Sequence, residues 1–316
     1  MINTFFSSHH KIRKRFRRIR KILNFSLNFP LINNKVIGNF IDITNDIIST
    51  TNRTSSIINY YNFNGYNRKS EKLFILGSGA SVNKLTTDHW AEIKKHDSFS
   101  FNYFLVSGIV GDLHFIESSA VPEHQSIYYD AIIENKNLQD TDYIINQLHF
   151  TDSVLKPYTE IQHLFFFQNP FRFTSSNSRI IKALLKFGKY FLPIDDPNFG
   201  IHHSSSVCYL INLGVRLGFK HIVLIGIDLN NTDYFFYFQE SNLAKKLTKI
   251  YKSNLEDQSI HRTANQSITS SYKAMSTPNY IKLYYEVVCR KRGVKLEVAN
   301  PNSLLAEFLG IYKFSS

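Results

Sequence analysis

Cysteine is nearly absent: Cys208 and Cys289 are the only two in 316 residues. Two thiols are too few for a disulfide framework. Both fall in stretches of helical pattern, so they read as buried thiols in a reducing compartment. Long apolar runs are missing as well. No segment approaches the roughly 18 apolar residues that cross a bilayer, and residues 1–10 lack the apolar stretch of a signal peptide. These absences point to a cytoplasmic chain. No internal repeat is present, which excludes solenoids and arrays. Acid is missing from the beginning, since nothing before Asp42 carries a negative charge.

That acid-free region holds most of the charge. The chain's net charge is +12, and Lys11, Arg13, Lys14, Arg15, Arg17, Arg18, Arg20 and Lys21 supply eight of it within eleven positions, leaving 12 − 8 = +4 for the rest. Ile12, Phe16, Ile19 and Leu23 recur at i, i+4, i+7 and i+11, one side of a helix whose other faces are basic. An apolar stretch, Phe25 to Leu31, follows and is interrupted by Pro30. Such a segment is attracted to anionic lipid by roughly 1 kcal/mol per basic residue and sinks its apolar stripe into the interface. Residues 11–31 are therefore expected to bind an anionic membrane surface. Nucleic acid is not expected as a partner, because such binders spread basic and aromatic residues over the folded surface. Residues 45–70, rich in Asn, Ser and Thr, read as a linker or wrap. The expected organisation is a basic arm and linker over 1–70 and a catalytic domain over 71–316.

The stretch Glu71 to Asp112 carries the first chemical signal. Leu73 to Leu76 is a short apolar run of the buried-strand kind, Gly77-Ser78-Gly79 follows at once, and helical character runs to about Lys95. Asp97 to Phe101 is a second strand and leads into Asn102. Strand, glycine turn, helix, strand is one βαβ unit. Its turn, Gly77 to Ser81, is expected to offer backbone N–H groups to a phosphate. The turn lacks the third glycine of a dinucleotide fingerprint and the Lys-Ser/Thr of a P-loop.

Downstream, Asp112 to Glu117 reads as a third strand, Gln125 to Asn135 and Asp140 to His149 as helices, Gln162 to Gln168 as a strand and Ser178 to Lys186 as a helix. Ser204 to Ser206 are placed to cap a helix from Val207 to about Leu217. Ile222 to Ile225 is then a strand ending in Gly226-Ile227-Asp228. A right-handed crossover would bring Asp228 to the same carboxyl edge as Gly77, where open α/β sheets bind ligands. Residues 238–277 read as a polar lid. Thr277-Pro278 opens a helix to about Arg292, Gly293 stops it, and Val294 to Val298 is the last strand before a short helix, Leu304 to Leu309. The expected fold is α/β, a Rossmann-like, mostly parallel sheet flanked by helices.

Five of these pieces, in this order, resemble the bacterial lipooligosaccharide sialyltransferases, glycosyltransferase family 42. Gly77-Ser78-Gly79-Ala80-Ser81-Val82 stands where the family has its Gly-Asn-Gly-Pro-Ser-Leu turn. Asn102-Tyr103-Phe104 is similar to its Asn-Gln/Tyr-Phe segment. Ser205-Ser206-Val207 matches a Thr-Ser-Gly helix start, and Leu217-Gly218-Phe219-Lys220 with Gly226-Ile227-Asp228 matches a Leu-Gly-Tyr-Lys turn and Gly-Ile-Asp strand end. Pro301 to Ala306 matches the closing Pro-Asn-Ser-Leu-Leu-Ala. The resemblance spans residues 72–309 and implies a GT-A-type enzyme.

It further implies inverting transfer of sialic acid from CMP-sialic acid to an oligosaccharide acceptor of a bacterial surface polysaccharide or lipooligosaccharide, on the cytoplasmic face of the inner membrane. Gly77, Ser78, Gly79, Ser81, Asn102, Ser205, Ser206, Gly226 and Asp228 would hold the donor, and Tyr234 would touch its phosphate. No cofactor beyond that substrate and no metal are implied, and no His/Cys ligand spacing stands against this. The departures matter. His203 falls where the family has arginine, Ser78 replaces the turn's Asn, and Asn230 replaces a tyrosine. The family's catalytic histidine counts to Met275, so His261, in the expected lid, is the candidate base, with His202 and His203 as alternatives. Rival readings are transfer of another CMP-activated keto acid (Kdo, pseudaminic acid), a membrane-docked degenerate CMP-binding protein, and a metal-dependent phosphotransferase. Self-association stays open.

Overall fold

In a computed structural model of the chain, the described residues are 61–117, 122–135, 138, 141–146, 161, 163–167, 171–172, 178–187, 196–198, 201–202, 205–230, 232–252 and 275–315. The basic arm, His203, Ser204, His261 and the 253–274 part of the expected lid lie outside them.

Eight strands form one sheet. In chain order they are β1 (Lys72–Leu76), β2 (Asp97–Phe101), β3 (Leu113–Ile116), β4 (Asp142–Asn146), β5 (Leu164–Phe167), β8 (His221–Ile225), β9 (Lys295–Val298) and β10 (Gly310–Ile311). A separate pair joins β6 (Phe171–Arg172) to β7 (Ile201–His202). The large sheet runs β10-β9-β8-β1-β2-β3-β4-β5, and every pairing in it is parallel. Its strands are apolar on both faces, as a parallel sheet covered by helices on both sides requires: Leu73, Phe74, Ile75 and Leu76 are all buried. The chain builds outward from β1 to β5, then returns to lay β8 against the other side of β1. The order in which strands are added reverses between those two central, parallel strands.

Alternation along β1 separates two cores. Leu73 and Ile75 pack with Ile181 of α3 (Ser178–Phe187), Leu210 of α4 (Ser206–Arg216) and Ile281 of α6 (Thr277–Tyr284). Phe74 and Leu76 pack with Ile93 of α1 (Thr87–Lys94), Ile127 of α2 (Pro122–Glu134) and Leu247 of α5 (Asn242–Lys252). The fold is therefore an open α/β sheet wound on both faces, as the sequence reading expects.

Three elements differ from that reading. Asp140 to His149, expected to be helical, instead contains β4, paired between β3 and β5 with Tyr143, Ile144 and Ile145 buried. A short aromatic and β-branched run suits either state by periodicity, and two-sided pairing decides it. The helix expected from the glycine turn to Lys95 is two pieces, a 3₁₀ turn over Ala80–Lys84 and then α1. Thr86 starts the second piece afresh through a reciprocal capping box with His89. Inside the expected lid, α5 is a regular helix with Ala244 and Leu247 buried. The thiol reading agrees with the structure: Cys208 lies in α4, Cys289 in the π-helical continuation Tyr285–Cys289, and both are buried thiols outside any disulfide.

Residues 61–70 wrap the core. Phe63 is 1% exposed, lies parallel to Phe115 with ring centres 6.2 Å apart, and donates its N–H to Asn198 Oδ1 at 2.8 Å.

Candidate functional site

The point where strand order reverses, between the carboxyl ends of β1 and β8, is where an open α/β sheet leaves a crevice. Here the two turns at that point touch. Gly77 N donates to Ile225 O and Gly79 N to Gly226 O, each at 2.8 Å. Gly226 has φ +64°, and a Cβ on it would lie 2.2 Å from Gly77 O. A Cβ on Gly79 would lie 2.5 Å from Asp228 Oδ2. The glycines are thus required for one backbone to approach another.

Asp228 completes this clasp. Its Oδ2 accepts from Ser81 N (2.9 Å), and its Oδ1 accepts from Ser81 Oγ (2.6 Å) and Asn300 Nδ2 (2.7 Å). Ala80 N donates to Asp233 O at 3.2 Å. The sequence reading expected the N–H groups of Gly77 to Ser81 to await an anion. In the structure the amides of Gly77, Gly79, Ala80 and Ser81 already donate within the protein. The clasp binds β1, β8 and the Asn300 turn to one another, and Ser78 is the part of the turn whose amide is not drawn into it. Ser78 O accepts from Phe235 N (3.0 Å), and Gly79 forms an antiparallel bridge with Tyr234.

Tyr234 is set in an aromatic cluster. Its ring lies 5.0 Å from Phe236 at 9° and 5.2 Å from Tyr251, which is also 5.5 Å from Tyr103. Burial raises the hydroxyl pKa of Tyr103 and of Tyr237 above the ordinary tyrosine value.

One strand over, a second cluster joins three segments. Asn102 follows β2 in a left-handed conformation, φ 51°. Its Oδ1 accepts from Glu117 N at 2.9 Å, and its Nδ2 donates to Ser206 Oγ at 3.4 Å. Ser206 Oγ donates to Glu117 Oε2 at 2.5 Å. Ser206 is the first residue of α4. Ser205, the residue before it, accepts from Thr277 Oγ1 at 3.1 Å and donates to Cys208 Sγ at 3.2 Å. The starts of α4 and α6 are thereby stitched together beside the ends of β2 and β3. Leu229, just past Asp228, is also left-handed at φ 60°. Two strained non-glycine residues at one sheet edge are a feature that clusters at functional sites.

Glu117 is not among the expected site residues, although the strand it ends is expected to finish at this carboxyl edge. It was visible as the acid ending an apolar strand, but nothing in the spacing ties it to Ser206, 89 positions away. His202 is paired through β7 with Arg172 of β6. Met275, the position to which the resemblance counts the base, is a core residue at 6% exposure. Among the described residues no three His, Cys, Asp or Glu side chains converge as a metal site.

The site as built offers hydroxyls from Ser205, Ser206 and Thr277, the amide of Asn102, the N-terminal end of α4 and the Glu117 carboxylate. A helix N-terminus with hydroxyls beside it suits an anionic group, and the carboxylate suits a proton or a sugar hydroxyl.

No family model and no curated protein matches the chain. Among solved structures it is similar to the sialyltransferase CstII from Campylobacter jejuni in complex with CMP-3FNeuAc, at 20% identity and TM-score 0.43, covering 78% of this chain and 88% of that one. It is also similar to the monofunctional alpha-2,3-sialyltransferase Cst-I from the same organism, at 14% identity and TM-score 0.43, covering 84% and 86%. At these values the likeness carries no weight of its own, and the architecture rests on the chain's own strand order.

Proposed function

We propose that this chain is a glycosyltransferase that moves sialic acid from CMP-sialic acid to a glycan acceptor. The observation that carries the reading is convergence. Gly77 to Ser81, Asn102, Ser205 and Ser206, Gly226 to Asp228, Tyr234 and the Asn300–Ser303 turn, singled out in sequence as separate pieces, all meet at the carboxyl edge beside the reversal point.

In this reading the CMP phosphate rests on the start of α4, where Ser205 and Ser206 turn their hydroxyls from Cys208 and Glu117 towards it and, with Tyr234, stabilise the charge that grows as CMP departs. Asn102 and Glu117 orient the sugar. A histidine outside the described residues, His261 first and His203 next, takes the proton of the acceptor hydroxyl, with His202 as the further candidate. Transfer is inverting and needs no metal. The enzyme works on the cytoplasmic face of the inner membrane, held there by residues 11–31.

Donor hydrolysis tests this. The purified chain is incubated with CMP-Neu5Ac and CMP-Kdo separately, with EDTA, and CMP release is followed. Release from CMP-Neu5Ac is expected, with Ser206→Ala lowering kcat by about 10²-fold as loss of one charge-stabilising donor does. Release only from CMP-Kdo transfers the reading to another keto acid. Release that survives His261→Ala moves the base to His202 or His203. CMP binding without turnover on any donor identifies a degenerate site, and no CMP binding ends the proposal.

A further inference from the structure

The edge of the sheet opposite the candidate site is a different kind of surface. Because every pairing in the large sheet is parallel, all its amino ends lie together. Arg68 and Lys69 lead into β1, Lys94 and Lys95 into β2, and Lys220 into β8. Arg290, Lys291 and Arg292 lead into β9, whose first residue is Lys295. All nine side chains are exposed, while the same edge holds five acids, Glu71, Asp97, Asp112, Asp142 and Glu286, a local excess of 9 − 5 = +4. Asp112 is already paired with Lys69.

The segments are held side by side by the backbone. Lys295 N donates to Lys220 O (2.8 Å), Lys220 N to Glu71 O (2.9 Å) and Arg68 Nη1 to Gly218 O (2.6 Å). The turns at the carboxyl edge, 77–81, 102–108, 226–230 and 299–303, contain no Lys or Arg. The folded unit is therefore electrically polarised along its strands.

The chain also enters the fold on the basic side. Tyr66 Oη donates to Asp97 Oδ1 at 2.8 Å and Lys69 N to Asp97 Oδ2 at 2.9 Å, which pins this segment at the amino end of β2. The eight basic residues between Lys11 and Lys21 lie N-terminal to that segment in the sequence.

We propose that the amino edge of the sheet is a docking surface for an anionic lipid bilayer, used together with the N-terminal arm, so that the candidate site faces away from the membrane. Charge complementarity alone would equally suit a nucleic acid. The arm decides for lipid, because its stripe of Ile12, Phe16, Ile19 and Leu23 matches a bilayer interface and has no counterpart on a phosphate backbone. The inference rests on the arm and the charge distribution, and vesicle binding reads it whether or not the chain transfers sialic acid.

The test uses the full chain and sedimentation with vesicles of equal parts phosphatidylglycerol and phosphatidylcholine. One variant is Lys94→Glu/Lys220→Glu/Lys291→Glu. Its control, Lys84→Glu/Lys245→Glu/Lys249→Glu, makes the same change in net charge at exposed positions away from the edge. At roughly 1 kcal/mol per basic residue near an anionic surface, the edge variant is expected to lose at least about 100-fold in partitioning, and the control less than about fivefold. The milder Lys94→Gln/Lys220→Gln/Lys291→Gln keeps the test open if charge reversal prevents folding, and it should lose at least about tenfold with an unchanged unfolding midpoint. Equal losses in edge variant and control would show a bulk charge effect and overturn the proposal. So would no loss in the edge variant, which would leave the arm acting alone. Loss of binding to duplex RNA with vesicle binding intact would identify a nucleic-acid surface instead.

Discussion

Asp228 and His114 show how little a residue's type says about its use. Asp228 ends a strand where a ligand is expected, yet Ser81 and Asn300 occupy both of its carboxylate oxygens. Its position was legible in the sequence and its partners were not, because Ser81 lies 147 positions away. His114 is not legible in the sequence, since one histidine within an apolar strand resembles any half-exposed one. In the structure it is fully buried in β3 with Nδ1 2.8 Å from Ser100 Oγ, and that oxygen accepts from Gly111 N. Burial drives its pKa down to about 3, and the Asn102 carbonyl offsets only part of that. The folded chain therefore keeps His114 neutral while the unfolded chain protonates it below about 6.5. Stability is present in full above that pH and falls toward pH 3, by about 1.4 kcal/mol per unit from this group. Urea unfolding between pH 6 and 4 should show that component, and His114→Gln should remove it from the slope.

Elements were legible where a local pattern agreed with the tertiary context. β1, β2 and α4 came from apolar runs and a serine start, and their observed bounds differ from the expected ones by at most about a residue. β4 and α5 did not. A Tyr-Ile-Ile run gives no period, and the four lysines of α5 obscure the stripe made by Leu243, Ala244, Leu247 and Ile250. The glycine turn is legible in the sequence as a turn, but its close approach to the β8 turn is not, because Gly226 lies far along the chain. That approach is measurable. Gly226→Ala imposes a left-handed alanine and a Cβ 2.2 Å from Gly77 O, so it should cost about 2–5 kcal/mol, strain and overpacking together. Gly293, at φ +65°, has nothing within 4 Å of its would-be Cβ, so Gly293→Ala should cost only the strain, about 1–2 kcal/mol. Denaturant unfolding of the two variants separates the contact from the conformation. Equal losses would mean that the β1–β8 clasp contributes nothing to stability.

For the molecule as a whole, the sequence suggests a boundary at residue 70, drawn by a change in composition. The described structure does not respect it. Asn, Ser and Thr dominate the stretch before Glu71, and polar composition reads as linker, but one aromatic in the right place anchors a whole segment. Phe63 fills the core against Phe115, Tyr61 sets its ring 5.3 Å from Phe165 of β5, and Tyr66 binds the buried Asp97. Asp97 also accepts from Lys69 N and Ser70 N, so the carboxylate at the head of β2 depends on the wrap for its partners. Removing the wrap would strip a phenylalanine from the core, worth about 3–5 kcal/mol, and leave that carboxylate buried without its donors, a further loss. Deletion of residues 1–24 removes none of these contacts. Denaturant unfolding of the two truncations should therefore diverge: the chain lacking 1–24 keeps the stability of the full protein, and the chain lacking 1–70 loses at least about 3 kcal/mol. Equal stability in both would place the structural boundary at Glu71 after all and make the wrap a passenger. Divergence would show that residues before Glu71 belong to the folded unit, as the burial of Phe63 and the Tyr66–Asp97 hydrogen bond require, and that the amino edge is where the wrap closes the core.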